Sequence, residues 1–320
     1  MRDYIIRRLL LMIPTMLLIT IIVFLMVRFI PGDVVELMVM EHAQQQAGQV
    51  ELDVDAMRAM LGLDQPIYIQ YGDWMSDVVR GNLGESLWTG RALKDMLVER
   101  LPVTFELGIL AFLIAQLIAF PVGIYSAMRQ DTAGDYLGRS AAIMGLSAPG
   151  FWLATMVMVF PAIWWGWSPP VCYTPFLDDP ITNLQQFIIP AVLLGAAMSA
   201  ITMRMLRTTM LEVLRQDYVR TAWSKGLKER VVVMRHALKN SLIPVVTIVS
   251  GQIPIMIGGT VIFEQIFSLP GIGRLFFDAI VTRDYTIVSG LNLLLAGVGL
   301  FIILATDLSY AYLDPRVHYE

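Results

Sequence analysis

Six long apolar stretches without charge restrict what this chain can fold into. Their cores are predicted at 9–27, 107–128, 141–165 (within the uncharged run 140–177), 181–203, 240–263 and 285–306. About 20 apolar residues suffice for a helix to cross the hydrocarbon core of a bilayer. Charged residues are only 16% of the chain and hydrophobic residues 56%, too apolar a balance for a soluble domain. The sequence therefore predicts an all-α integral membrane protein with six transmembrane helices.

The distribution of Lys and Arg predicts the orientation of these helices. With the N-terminus in the cytoplasm, segments 1–8, 129–139, 204–239 and 307–320 face inward and hold 15 of the 23 basic residues. Inner loops of membrane proteins carry such an excess. No small-x-small cleavage site follows the first apolar stretch, which is interpreted as an uncleaved signal-anchor. We therefore predict that both termini are cytoplasmic.

The predicted spans contain no Asp, Glu, Lys, Arg or His. Ion-coupled carriers usually keep ionisable groups at membrane depth, although sodium can bind backbone carbonyls at broken helices, so a secondary transporter is disfavoured rather than excluded. The chain lacks a nucleotide-binding Gly-x-x-x-x-Gly-Lys-Ser/Thr motif, and its single Cys172 and scattered histidines indicate neither a disulfide nor a metal site. We predict that the chain is not an enzyme, binds no metal or cofactor, and takes any energy for uphill transport from outside the bilayer.

The predicted cytoplasmic loop at 204–239 has the most informative charge pattern. Nine basic and three acidic residues give it a net charge of +6. Apolar residues recur at helical spacing through Leu214, Tyr218 and Ala222, which predicts an amphipathic helix with Gly226 as a break. Composition leaves two interpretations open: a basic helix on anionic membrane lipid, or a docking helix that enters a groove on a partner protein. Binding to nucleic acid is disfavoured by the membrane context.

Residues 217–227 and 235–244 decide between these interpretations, because they resemble the coupling loop of ABC-importer permeases. The closest resemblance is to the B-type permease of the dipeptide/oligopeptide (peptide/nickel) importers. Thr221-Ala222 stands where the general pattern has two alanines after a glutamate, and Gly226 matches its glycine. The glutamate is missing, and Pro244 lies 18 residues after Gly226 rather than 13. Both departures resemble the peptide-importer branch.

Further segments extend the resemblance over nearly the whole chain. Segments 81–86 and 100–107 are similar to the family's outer segment that enters the second span. Segment 262–273, followed by Arg283-Asp284-Tyr285, resembles its loop between spans five and six, and Asp314-Pro315-Arg316 fits its C-terminus. Each motif alone is weak evidence for the family, but the occurrence of all of them in this order is specific to it.

The resemblance implies the fold and the partners of the chain. The fold would be that of a type I ABC importer permease, with a cytoplasmic coupling helix and an extracytoplasmic segment between spans 1 and 2. The chain would be a pore-forming subunit in the cytoplasmic (inner) membrane that moves di- or oligopeptides inward. Its partners would be a second permease subunit (a related C-type chain, or itself in a homodimer), two cytoplasmic ATPase subunits that use ATP and Mg, and an extracytoplasmic substrate-binding protein.

The predicted organisation has four parts. Residues 1–30 form the N-terminal transmembrane helix, and residues 31–102 form an extracytoplasmic segment with 12 acidic and 5 basic residues. Residues 103–306 form a five-helix permease core that includes the coupling loop 204–239. Residues 307–320 form a cytoplasmic tail. Short helices are predicted at 54–62 and 70–79 of the outer segment.

The resemblance also indicates candidate site residues. Contact with the ATPase is expected from Arg220, Ala222, Lys225, Gly226, Leu227 and Glu229, where Ala222 and Gly226 would allow close backbone approach and Arg220 and Glu229 would pair with the partner. The outer mouth of the pore is expected at Glu264, Phe267, Pro270, Gly271 and Gly273. Small or flexible residues of the fourth span are candidates for the pore lining, namely Met198, Ser199 and Met203, with Gly195 and Ala196 beside them.

Other functions stay open at the level of sequence. The same machine could carry nickel chelates, glutathione or another small solute, since the binding protein does much of the selecting. From a different class, the chain could be an ATP-independent channel or carrier, or a membrane-anchored scaffold that uses 204–239 as a docking module. Neighbouring genes for ATPases and a binding protein would favour the importer.

Overall fold

The computed structural model describes residues 2–29, 34–45 and 53–313. These residues form helices and one isolated antiparallel bridge between Glu85 and Ala92. The helices are α1 (Arg2–Arg28), α2 (Val34–Gln45), α3 (Val54–Met60), α4 (Ile67–Val79), α5 (Leu93–Met128), α6 (Ala133–Ser147), α7 (Gly150–Trp165), α8 (Pro180–Leu214), α9 (Asp217–Ser224), α10 (Glu229–Val231), a π-helix (Val232–Leu238), α11 (Lys239–Ile266), α12 (Ile272–Val281) and α13 (Tyr285–Leu313). The all-helical prediction is confirmed for the described residues, whereas Asp314-Pro315-Arg316 lies outside them.

Five helical stretches are long and apolar enough to cross a membrane. They are Ile6–Arg28, Leu93–Met128, Pro180–Leu214, Glu229–Pro254 and Tyr285–Thr306. Each contains or overlaps a predicted span, and several extend beyond it because the helices continue past the apolar core. The short helices predicted in the outer segment are also present, as α3 and α4.

The third predicted span, 141–165, is not one continuous helix. Ala133–Gly145 and Gly150–Trp165 are long and apolar enough to cross a membrane only when taken together, and the angle between them is 89°. Pro149 explains the break, because proline disfavours the helical conformation in the residue before it. Ala148 is accordingly extended, with ψ of 131°. The uncharged run therefore gives either one broken span or a re-entrant pair.

The chain forms two compact units. The first unit comprises Met1–Leu101 and Arg274–Leu300. In it, the guanidinium of Arg28 lies 4.7 Å from the centroid of the Phe24 ring and 4.9 Å from that of Tyr285, and its Nε donates to Gln70. The other face of α1 exposes large apolar side chains such as Leu10 and Leu18, as expected of a helix in contact with lipid.

The second unit comprises Pro102–Gly273 and Phe301–Glu320, and α8 is its central helix. Side chains of α5, α7, α8 and α11 share one apolar core around Phe187, Ala191 and Leu194. The N-terminus of α8 is defined by Asp179, whose carboxylate accepts hydrogen bonds from the backbone N–H groups of Ile181 and Thr182, a helix cap. The Thr182 hydroxyl also donates to this carboxylate, and these hydrogen bonds lower the pKa of Asp179.

Gly195 allows α5 and α8 to approach closely. A Cβ at this position would lie 2.6 Å from the Ala111 carbonyl oxygen and 3.1 Å from the Ile114 side chain. Small residues at such crossings let two helix backbones pack directly in membranes. Helix packing therefore explains Gly195, which is buried and does not lie on an open surface.

Candidate coupling site and outer loops

Helix α9 contains the predicted coupling motif, and its end is set by Gly226. The Gly226 N–H donates to the Trp223 carbonyl over 2.9 Å, and the Leu227 N–H donates to the Ala222 carbonyl over 3.4 Å. This pair of hydrogen bonds is the Schellman motif, which requires a left-handed residue at the glycine position. Gly226 has φ of +73°, and no atom lies within 4 Å of the place where its Cβ would be. The glycine is thus required by the turn itself.

The inner face of α9 packs on the chain's own π-helix. Val219 and Ala222 form a buried apolar cluster with Val232, against which Val213 and Leu214 also pack. Ala222 is only 5% exposed. Its small side chain therefore permits close packing inside the permease, and this differs from the expectation that Ala222 faces an external partner.

The outer face of the same region is open and mixes apolar with basic side chains. Trp223, Leu227, Val231 and Met234 are all large apolar residues exposed by 38% or more. The remaining predicted coupling residues, Arg220, Lys225, Gly226 and Glu229, are exposed beside them. We call these eight exposed residues the coupling surface: Arg220, Trp223, Lys225, Gly226, Leu227, Glu229, Val231 and Met234. Five of the six predicted coupling residues thus share one accessible region.

A polar contact joins α9 to the start of α11. The Asn240 side-chain N–H group donates to the Tyr218 hydroxyl over 2.8 Å and to the His236 carbonyl over 3.0 Å. The Tyr218 hydroxyl lies 3.4 Å from that same carbonyl, to which it donates. His236 belongs to the π-helix, so three elements meet at these atoms. Nothing in the sequence spacing of Tyr218, His236 and Asn240 indicates this contact.

A buried ion pair lies at the predicted cytoplasmic ends of α6 and α8. The Arg207 guanidinium donates two hydrogen bonds to the Asp135 carboxylate, over 2.8 and 2.7 Å. The Asp135 side chain is fully buried and that of Arg207 is 15% exposed. Asp135 also accepts from the Asp131 N–H, while its own N–H donates to the Thr132 hydroxyl. The Thr132-x-x-Asp135 spacing could have indicated a helix N-terminus, but only the structure reveals Arg207 as the partner.

The loop that follows α11 is packed against the start of the second span. The Thr104 hydroxyl donates to the Glu264 carboxylate over 2.7 Å and accepts from the Ile272 N–H over 2.8 Å. Glu264 is fully buried, and Phe267 is 3% exposed. Two segments that carry the family resemblance, 100–107 and 262–273, are therefore held together through Thr104 and Glu264.

Gly271 in this loop and Gly273 at the start of α12 have no room for a side chain. A Cβ on Gly271 would fall 2.3 Å from the Glu264 carboxylate, and one on Gly273 would fall 2.6 Å from the Val261 Cα. Pro270, between the buried Leu269 and Gly271, is partly exposed. The predicted outer-mouth residues thus form a compact loop, and most of them face the protein interior.

In the first unit, two other resemblance segments meet in the same way. The Ser86 hydroxyl donates to the Asp284 carboxylate over 2.7 Å, and the Trp88 indole N–H donates to the Thr282 carbonyl over 2.9 Å. Burial raises the pKa of Asp284, and the Ser86 hydrogen bond opposes this shift. Asp284 also accepts from the Ile287 N–H and so caps the start of α13.

The three residues predicted to line the pore lie inside the second unit. Met198 belongs to the main apolar core, and Met203 is buried with Ala119, Ala142 and Ala200. Ser199 donates to the Ala196 carbonyl. Ser199 and Met203 also line a largely apolar groove of about 280 Å³ between α5, α6 and α8.

Comparisons with known proteins give matches over nearly the whole chain. The model of the "binding-protein-dependent transport system inner membrane component" family matches residues 119–319, and the model of its N-terminal region matches residues 1–108. A putative peptide transport system permease protein of Brucella suis is 38% identical over 320 residues, covering all of both chains. The dipeptide transport system permease protein DppB of Alkalihalophilus pseudofirmus is 39% identical over an alignment of 339 positions that covers all of both chains.

A glutathione transport system permease protein, GsiC of Escherichia coli, is 34% identical over 320 residues and is also covered completely. Among solved structures, an inward-facing form of the MetNI methionine ABC transporter matches with a TM-score of 0.55 at 15% identity. The match covers 68% of this chain and 96% of that one. At this identity the structural likeness shows a common fold.

Proposed function

Because the chain belongs to the binding-protein-dependent transport system inner membrane components, in the peptide branch of ABC-importer permeases, we propose that it forms half of a pore that imports di- or oligopeptides. The other half is a related C-type permease or a second copy of the chain. Two cytoplasmic ATPase subunits supply the energy and bind ATP and Mg, and an extracytoplasmic binding protein delivers the cargo. The chain carries out no chemical step itself.

The coupling surface is the observation that supports this proposal most directly. Its exposed apolar side chains, among them Trp223 and Leu227, stand beside the basic residues Arg220 and Lys225. A helix with such a face binds by placing its apolar residues in a groove on a partner. The inner face of α9 packs on the π-helix, which continues directly into α11.

The test of docking is co-purification of the ATPase subunits with the permease from membranes. Leu227→Glu places a charge on the coupling surface without changing the turn, and we expect it to abolish co-purification. Gly226→Arg should do the same, because it adds bulk and strains the left-handed turn. Gly226→Asn is the matched control, since asparagine tolerates this conformation, and it should retain the ATPase. If Leu227→Glu retains the ATPase fully, the loop lies on lipid and the scaffold or channel alternatives gain support.

We further propose six spans with both termini in the cytoplasm of an inner-membrane protein, with α6 and α7 together as the third span. Cys172 offers a direct test, because it is the single cysteine and its side chain is exposed. In this topology it lies outside the cell. A membrane-impermeant maleimide should label Cys172 in intact spheroplasts, whereas Ser224→Cys in a Cys172→Ser background should react only after permeabilisation. The reverse labelling pattern would invert the topology.

Cargo is tested by uptake into cells in which this chain is the only intact peptide permease of its type. The names of the relatives favour peptides, and the glutathione permease among them makes glutathione the second candidate. Labelled dialanine should accumulate in an ATP-dependent manner, and unlabelled tripeptides should compete. Competition by glutathione or by a nickel chelate, without competition by peptides, would reassign the cargo and leave the importer mechanism intact.

A further inference from the structure

We propose that Tyr218 and Asn240 form a hydrogen-bonded clamp that makes α9, the π-helix and α11 move as one lever. This inference rests on the proposed function and names the positioning residues through which a movement of α9 reaches the fifth span.

The donors and acceptors of the clamp are mutually consistent. Asn240 donates one hydrogen to the Tyr218 hydroxyl and another to the His236 carbonyl, and the Tyr218 hydroxyl donates to that carbonyl as well. The NH2 group of an asparagine side chain has two donor hydrogens, and a carbonyl oxygen has two lone pairs, so all three bonds can exist together. Tyr218 lies in the first turn of α9, and Asn240 is the second residue of α11.

The π-helix between them explains why a clamp is needed. A π-helix closes its hydrogen bonds one residue further along the chain than an α-helix, is rare, and occurs often at functional sites. If Val232–Leu238 relaxed to α-helical geometry, the chain on one side of it would rotate by about 100° and shift by about 1.5 Å, the step of one residue. The side chains of Tyr218 and Asn240 hold the carbonyl of His236 and oppose this change.

The apolar contacts of the π-helix do not fix the register by themselves. Val232 packs on α9, whereas Val233, Ala237 and Leu238 pack with Leu206 and Met210 of α8. Apolar packing is non-directional and tolerates small displacements better than a hydrogen bond, which weakens steeply with angle. After the π-helix, the Ser241 carbonyl lies 3.2 Å from the Thr209 hydroxyl of α8, within hydrogen-bond distance, while the same hydroxyl also lies 3.0 Å from the Met205 carbonyl of its own helix. Hydrogen bonds thus fix the position of the π-helix relative to its neighbours, and apolar contacts fill the space between these elements.

The experiment uses the complete complex, with its ATPases and binding protein, in proteoliposomes and measures dialanine uptake per ATP hydrolysed. Tyr218→Phe keeps the aromatic ring and removes the hydroxyl, and Asn240→Ala removes the amide. Thr221→Val is the matched control, because that hydroxyl donates to the Asp217 carbonyl within α9 itself. We expect each clamp variant to recruit the ATPase normally but to lower uptake per ATP by about threefold to tenfold, the range of one net hydrogen bond.

Two further readouts separate coupling from simple loss of stability. Each single variant breaks two of the three hydrogen bonds, and both break the one between Asn240 and Tyr218. The double variant should therefore lose less than the sum of the two single losses in coupling free energy. Amide hydrogen exchange over 232–240 should become faster in both single variants and stay unchanged in Thr221→Val. Uptake per ATP equal to that of Thr221→Val, additive losses in the double variant, or loss of the ATPase from Tyr218→Phe would each overturn the clamp. A wild-type chain that recruits no ATPase would instead overturn the proposed function.

Discussion

Two loops of the second unit use glycine for opposite reasons. Gly226, at the end of α9, has a left-handed backbone and empty space around its missing side chain. Gly271 and Gly273, after α11, have no positive φ but are crowded by the Glu264 carboxylate and by the Val261 backbone. The first loop therefore depends on conformation, and the second on space.

The different reasons for glycine indicate which side chains each region can keep exposed. A loop held by its own turn can keep its side chains exposed, and the coupling surface does so with Leu227 and Trp223. Around the second loop, close packing places side chains in the interior, as it does for Phe267 and for Glu264 near the end of α11. Substitutions in the coupling loop should therefore affect partner binding, and substitutions at packed sites should affect folding.

The largest loss of stability is expected at the buried ion pair of Asp135 and Arg207. Arg207→Met leaves a buried carboxylate without its partner, which costs about 3–5 kcal/mol of unfolding free energy. Arg204→Met is the control, since Arg204 is exposed on the same helix. The free energy of unfolding, measured in nanodiscs, should be clearly lower for Arg207→Met than for Arg204→Met. Adding Asp135→Asn to Arg207→Met should restore part of the loss, and no restoration would show that the charge is not its cause.

A smaller loss of stability is expected at Gly273, the crowded glycine in the first turn of α12. Gly273→Ala forces a methyl group against the Val261 backbone, and overpacking of this kind costs about 1–3 kcal/mol. Gly258→Ala in α11 is the control, because no atom lies within 4 Å of its Cβ position and its φ is not positive. The thermal midpoint of Gly258→Ala should be equal to or above that of the wild type. Equal thermal midpoints for Gly273→Ala and Gly258→Ala would show that lack of space is not what requires glycine at position 273.

Gly226→Ala should be milder still, and its cost should depend on side-chain type. A Cβ in the left-handed region costs about 1–2 kcal/mol for most residues, and less for asparagine. The thermal midpoint should therefore rank wild type first, Gly226→Asn next and Gly226→Ala last. An alanine variant as stable as the asparagine variant would contradict the role of backbone conformation at this turn.

The smallest effect on stability is expected at the exposed coupling residues. Glu229→Ala and Lys225→Ala change solvated side chains, and such substitutions usually stay within about 0.5 kcal/mol. Co-purification of the ATPase is the sensitive measurement for them. A large drop in the thermal midpoint of either variant would show that the coupling surface also supports the fold.

Much of the fold followed from local pattern. The amphipathic spacing of Tyr218 and Ala222 predicted the helix α9, and Gly226 predicted its end, because these features act within a few residues. Leu214, part of the same pattern, is instead the last residue of α8, so the single helix predicted there is divided in two. The bend between α6 and α7 was missed although Pro149 is visible in the sequence, since an uncharged run gives the same hydropathy whether it is straight or bent. The contacts of Thr104 with Glu264, and of Ser86 with Asp284, span more than 150 residues, and no local pattern encodes such pairs.

The sequence by itself determined the membrane class, the approximate positions of the spans, the family and the helix that carries the coupling motif. These depend on hydropathy, on charge bias and on short motifs, all of which are local properties. Only the tertiary structure decided which face of α9 is exposed, turning Ala222 inward and Leu227 outward, and which distant polar groups pair. Burial and pairing depend on how helices far apart in sequence pack, because a side chain acquires its neighbours only when the chain folds.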